Sequence, residues 1–242
     1  MKRFWNEVAV VLETGGYGIA LDARPVRTPG RLPLLVPGIA LAQAIAEEWR
    51  AVDGEIDPRA MRLTGLANAA VERIEPDPAP FLAGLAGYAE TDLLAYRADG
   101  PEPLVERQAT AWDPHLAWAR ARYDVHIETF AGVMHHPQPP ATVARLQDAL
   151  AARSPFELAA LSPIVTLTGS LILGLALAER ATDAETVWAA ANLDADWQAE
   201  LWGEDDLATA TRAAHRAEYD GAVRFLALLE QPADEADQPG LA

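Results

Sequence analysis

The chain has 242 residues, 19 Lys+Arg against 36 Asp+Glu, a formal net charge of −17 and no cysteine. That length supports a core for one or two domains, while the charge excludes a binder of nucleic-acid phosphates and disfavours an anionic membrane surface. Without cysteine, disulfides, zinc–thiolate sites, iron–sulfur ligation and a thiol nucleophile are all excluded.

The elements follow in chain order. Residues 7–12 and 19–22 are strand-like runs around Gly15-Gly16-Tyr17-Gly18, which predicts a hairpin with its turn at the glycines. Residues 24–37, punctuated by four prolines, predict short or edge strands. A helix follows over residues 39–52, with Ala42, Ile45, Ala46 and Trp49 on one face and Asp53-Gly54 stopping it. Helices are then expected over 59–74 and 80–89, and a strand over 92–97. Residues 103–123 predict a helix broken or kinked at Asp113-Pro114, and 125–133 a strand able to pair with 92–97. After the loop at 135–140 comes a helix over 141–153. Residues 163–178 are nearly uncharged but short of the roughly 20 apolar residues of a membrane span, so they predict one buried helix opened by Ser162-Pro163.

Thr182-Asp183-Ala184-Glu185 has the form of a capping box, and the helix it opens runs toward Trp202 with Gly203 after it. Glu204-Asp205-Asp206 places negative charge at the start of a last helix. Its expected apolar face is Leu207, Ala210, Ala214, Ala217, Gly221, Phe225 and Leu228. Residues 231–242 are polar and predict a disordered tail. The fold class expected is α+β: a β-rich N-terminal domain with one helix (1–58), and a larger, mainly helical domain (59–230).

Catalytic motifs are sparse. The glycine cluster leads into a strand, not a helix, so it cannot present helix-terminal amides to a phosphate. The five histidines show no metal-binding spacing, and Ser170 is not in a nucleophile elbow. No metal or cofactor is expected. Glu90/Asp92 or Glu200/Glu204 could form an acid/base pair, although solvated helix faces are the default in so acidic a chain. Trp197 and Trp202 stand among acids at a helix corner. They suit either corner packing, which at least one ring is expected to provide, or a protein-binding surface.

Several ordered motifs carry a family resemblance. They include Lys2-Arg3-Phe4-Trp5, Leu21-Asp22-Ala23-Arg24-Pro25, Ala46-Glu47-Glu48-Trp49, Tyr88 to Arg97, Arg107-Gln108 with Trp112-Asp113-Pro114, Thr168-Gly169-Ser170-Leu171 and Trp197-Gln198-Ala199-Glu200-Leu201-Trp202-Gly203. The chain resembles the assembly chaperones of the F-type ATP synthase that hold the α subunit of the catalytic head. Ala23 stands where that family usually has Gly, and Asp206 where it has Glu. The resemblance implies a small β-containing domain joined to a helical one. It also implies an ATP-independent chaperone, not an enzyme, that shields the α subunit's interface until the β subunit pairs with it. The partner-binding residues it suggests are Trp197, Glu200, Trp202, Glu204, Asp205 and Asp206. A free monomer that neither binds nucleic acid nor inserts into membranes is expected. So is a bacterial cytoplasmic location, or else a processed chain, because residues 1–7 show no signal core or presequence; eukaryotic members reside in the mitochondrial matrix. An acid/base enzyme using Glu90, Asp92 or Glu200, and an interaction module for another partner, stand as rival readings.

Overall fold

The computed structural model describes residues 2–132, 134–203 and 206–229. The expected tail at 231–242 lies outside them. A small strand region at the N-terminus is followed by a mostly helical chain. Its compact units are residues 2–77 with 155–160 and 220–229, and residues 78–154 with 161–219. The sequence-based boundary near residue 58 falls inside the first of these, between its two longer N-terminal helices.

In the first unit, β1 (Val8–Glu13) and β2 (Gly16–Leu21) form the expected antiparallel hairpin, pairing Val8 with Leu21 and Glu13 with Gly16. Gly15 and Gly16 take φ of 105° and 151°, which is why glycines occupy the turn. The other edge of β2 is shared by β3 (Arg24–Pro25) and β4 (Leu35–Val36). Ile19, Leu34 and Val36 are buried together with Leu41, Ala42, Ile45 and Ala46 of α1 (Ile39–Ala51). Helix α2 (Arg62–Ala69) continues into a π-turn at Ala70–Ile74. Its first turn is capped from α1: Glu48 accepts the Leu63 and Thr64 amides, each at 2.8 Å. Phe156 and Phe225 stack at 6.4 Å in the same unit.

The two residues joining β2 to β3, Asp22 and Ala23, have φ of 47° and 65°, the geometry of a type I′ turn. Backbone amides of Glu7 and Asn6 bind the Asp22 carboxylate and hold it below the usual carboxylate range. Ala23 has no such compensation for its strained backbone. Ala23→Gly is therefore expected to raise stability by about 1 kcal/mol, read as a higher urea midpoint with unchanged slope. No gain would show that the turn tolerates its Cβ without strain.

In the second unit, α3 (Ala79–Ala86) and α4 (Glu102–Tyr123) precede α5 (Pro140–Ala151). The 92–97 strand shrinks to β5 (Tyr96–Arg97) after a 3-10 turn at Leu93–Ala95, and β5 pairs in parallel with β6 (Phe130–Ala131). Helix α4 runs through Asp113-Pro114 without the expected break. Asp113 does not cap there; its carboxylate takes Arg97 at 2.7 Å.

Two helix starts differ from expectation. The apolar run at 163–178 is not one helix opened at Pro163. It is the end of α6 (Pro155–Thr168), then α7 (Leu171–Ala178). Burial of Leu158 to Leu161 before Pro163, and of Ile164 and Val165 after it, outweighs the missing N–H. The chain breaks instead at Gly169, with φ of 67°, and Ser170, whose hydroxyl accepts the Leu173 amide at 3.0 Å. The remaining helices are α8 (Ala184–Trp202) and α9 (Asp206–Leu229). The cap of α8 is Asp183, not Thr182: its carboxylate accepts the Thr186 amide at 2.9 Å. In α9 the buried residues are Tyr219, Ala222, Phe225 and Leu226. Of the expected apolar face only Phe225 is buried; Ala217, Gly221 and Leu228 are half-buried, and Leu207, Ala210 and Ala214 are exposed. No helix among the described residues is long and apolar enough to cross a membrane.

Candidate functional site

Helix α4 positions α8. Its buried face carries Leu104, Gln108, Trp112, Leu116 and Ala119. Gln108 accepts the Ala98 amide and donates to Asp194 on α8, both at 2.8 Å. The Trp112 indole donates to the Ala190 carbonyl of α8 at 2.9 Å. One turn earlier, the Arg107 guanidinium lies 4.9 Å from the Trp197 ring centre and bonds Glu200 at 2.8 Å. That bond holds the Glu200 carboxyl below the usual carboxylate range. Trp197 is thus half-buried under Arg107, with Glu200 exposed beside it.

Helices α8 and α9 lie side by side in opposite directions. At the closed end Trp188 packs on Tyr219 at 5.1 Å, and the Tyr219 hydroxyl donates to the Ala184 carbonyl at 2.9 Å. Toward the connection the helices stand apart, leaving a groove of about 590 Å³ lined by residues that include Ala195, Ala199, Trp202, Leu207 and Arg212. Asp196 and Arg212 form an ion pair across the two helices at 2.5 Å.

Of the residues expected to bind a partner, the structure brings Trp197, Glu200 and Trp202 onto the last turns of α8 and Asp206 onto the first turn of α9. Glu204 and Asp205 lie outside the described residues. The expected corner packing does not extend to Trp202, which is 76% exposed between Leu201 at 55% and, across the connection, Leu207 at 77%. Along α8 only Val187, Trp188 and Ala190 are buried, so its C-terminal half stands over the groove instead of closing on α9. Sequence reasoning missed Arg107 as a site residue. Its partner Glu200 is 93 positions away, and only the quoted Arg107-Gln108 motif marked it.

The acid/base candidates do other things. Asp92 is buried and accepts the Leu94 and Ile172 amides, each at 3.0 Å, which places it at the start of α7. Glu90 is exposed, and Glu200 is held by Arg107. His115 is buried, and that burial lowers its pKa. Among the described residues no group of His, Asp and Glu could hold a metal ion.

An exposed ring flanked by exposed leucines and carboxylates makes the kind of surface with which one protein holds another. The comparisons with known proteins agree with that class. A family model described as ATP12 chaperone protein matches residues 2–120. The crystal structure of Atp12 from Paracoccus denitrificans is 45% identical and covers 95% of this chain and 98% of its own, with a TM-score of 0.90. A point mutant of the same protein matches equally. Protein atp12, mitochondrial, from Schizosaccharomyces pombe is 25% identical over 214 residues, 84% of this chain and 74% of the relative. The chain belongs to the ATP12 family of chaperones for ATP synthase assembly.

Proposed function

We propose that this chaperone binds the unassembled α subunit of the F-type ATP synthase catalytic head, without ATP, and covers its subunit interface until the β subunit pairs with it. The observation that carries this reading is the exposed corner of Leu201, Trp202 and Leu207, beside Glu200 and Asp206. Three large apolar side chains exposed together, Trp202 at 76% among them, form the sort of patch that marks a protein-interaction site. A free α subunit exposes the surface meant for β, and such patches aggregate. A cap of modest affinity lowers the free concentration of that state by mass action and yields to β.

The direct test is light scattering by purified α subunit diluted from denaturant, with and without a near-equimolar amount of this chain and no nucleotide. Suppression is expected. Aggregation at the uncapped rate, or suppression that needs ATP, overturns the reading.

The corner itself yields a second expectation. Glu200→Lys repels Arg107 but removes only an exposed ion pair, so the melting temperature should change little. Trp202→Ala should also leave the melting temperature nearly unchanged, since little of the ring is buried. Both should weaken α-subunit capture by about 10-fold or more, the range of a central interface residue. Full capture by both folded variants removes this corner from the interface.

A further inference from the structure

We propose that a cleft between α4 and the first turns of α8 is a binding site for an uncharged aromatic group with one hydrogen-bond donor, a phenol or an indole. The cleft lies at the other end of α8 from Trp202 and does not depend on that corner's role.

The cleft has a volume of about 540 Å³, inside the range of about 300–1,000 Å³ of pockets that take small ligands. One wall is α4, where Thr110, Pro114, His115 and Trp118 line it at helical spacing. The other is α8, where Ala189 and Ala190 leave room that larger side chains would fill. The Trp112 bond to the Ala190 carbonyl ties the two helices together at this point. Trp118 is half-buried and packs edge-on against Tyr123 at 5.5 Å, which holds its ring in place as an aromatic wall.

Charge sets the first requirement on the ligand. No Asp, Glu, Lys or Arg lines the cleft. An ion entering it would give up water with no opposite charge in return, so the ligand is neutral.

Two polar groups without protein partners set the second. Pro114 has no N–H, and α4 runs through it unbroken, so the Thr110 carbonyl lacks its helical donor. The Thr110 hydroxyl does not replace it, since that group donates to the Glu106 carbonyl at 2.8 Å. The residue after Pro114 is His115, which is only 8% exposed. No hydrogen bond from the described residues reaches its imidazole, and burial lowers its pKa. At neutral pH the ring is therefore uncharged, with one nitrogen to donate and one to accept. An O–H or N–H on the ligand has an acceptor in either group, and the ligand's flat body packs on Trp118. A plain hydrocarbon of the same shape would shut both groups off from water and leave them unanswered.

The probes are p-cresol, toluene and 4-methylbenzoate, titrated into the full chain at pH 7. NMR follows the imidazole C–H signals of the five histidines, with His115→Gln identifying the signal of His115. The expected result is a saturable shift of that signal with p-cresol, binding at least about 5-fold weaker for toluene, and no shift with 4-methylbenzoate. Pro114→Ala restores the missing N–H and should weaken p-cresol about 5-fold while leaving toluene unchanged. Ala189→Trp fills the cleft from an exposed position, so it should abolish both shifts and keep the melting temperature. A His115 signal that p-cresol does not move overturns the proposal. So do toluene or 4-methylbenzoate binding as tightly as p-cresol, undiminished p-cresol binding by Pro114→Ala, and shifts that survive in folded Ala189→Trp. The source of the ring is read by adding saturating p-cresol to the α-subunit aggregation assay. Lost suppression assigns the site to a Tyr or Trp side chain of the held protein, and unchanged suppression to a free small molecule; both support the site. The binding test holds whether or not the chain captures the α subunit.

Discussion

Trp112→Ala is expected to lower stability by about 3–5 kcal/mol, a large part of the margin of an ordinary domain. The ring is fully buried, its indole N–H is satisfied by the Ala190 carbonyl, and the Arg97 guanidinium lies 5.2 Å from its centre. Truncation removes the apolar burial and leaves a cavity. It also takes from the Ala190 carbonyl its bond beyond the helix and deprives Arg97 of its aromatic platform. Trp112→Phe retains most of the volume but not the donor, so it should cost distinctly less, on the order of 1–3 kcal/mol. Urea unfolding of both variants measures this. Equal losses for the two would show that the Ala190 bond, not the packing, dominates; near-zero losses would show that α4 does not hold α8 through this ring.

Asp92→Asn should cost about 2–3 kcal/mol at pH 5.5 and less at pH 7.5. The two carboxylate oxygens receive different amides, Leu94 on one and Ile172 on the other. Asparagine can accept only one of them and turns an NH₂ toward the other. The pH dependence has a definite sign. Burial pushes the Asp92 carboxyl up from 3.8 to about 6, so between these values the folded chain holds a proton that the unfolded chain has released. Stability from this group is therefore fully present at low pH and falls as pH rises toward 6. The variant cannot bind that proton. The gap between wild type and variant should thus widen by roughly 1 kcal/mol on going from pH 7.5 to 5.5. Both values lie above the sequence pI of about 4.6, where solubility holds. A gap that stays constant or narrows would show that Asp92 is not the buried proton-binding group.

The parts legible in the sequence were those with local causes. The hairpin followed from glycines at a turn that needs positive φ, and α1 from its spacing and its stop at Asp53-Gly54. The break at Gly169 and Ser170 was hidden because an all-apolar run has no periodicity to interrupt. The α9 stripe misled for the opposite reason: Leu207, Ala210 and Ala214 have the spacing of a buried face, but the spacing does not say whether another helix covers it. Trp202 was ambiguous on the same ground. Arg107 over Trp197 depends on packing between α4 and α8, which no short window of sequence can express. The family motifs pointed to the corner; only the structure separates its half-buried ring from its exposed one.

The first unit is made of pieces from both ends of the chain, and this sets a schedule for synthesis. Its sheet and α1–α2 lie within residues 2–77, but residues 220–229 belong to the same unit and are made only after the whole of the other one. Phe156 meets Phe225 within it, and a Cβ added at Gly221 would press on the Arg62 side chain. The usual order, in which an N-terminal unit closes while the rest is still being made, is not open to this chain. The helical unit can gather as soon as residue 219 is available, while the first unit cannot be completed before residues 220–229 are made. A chaperone that guards another protein's exposed surface therefore carries an unfinished surface of its own until residues 220–229 have been made.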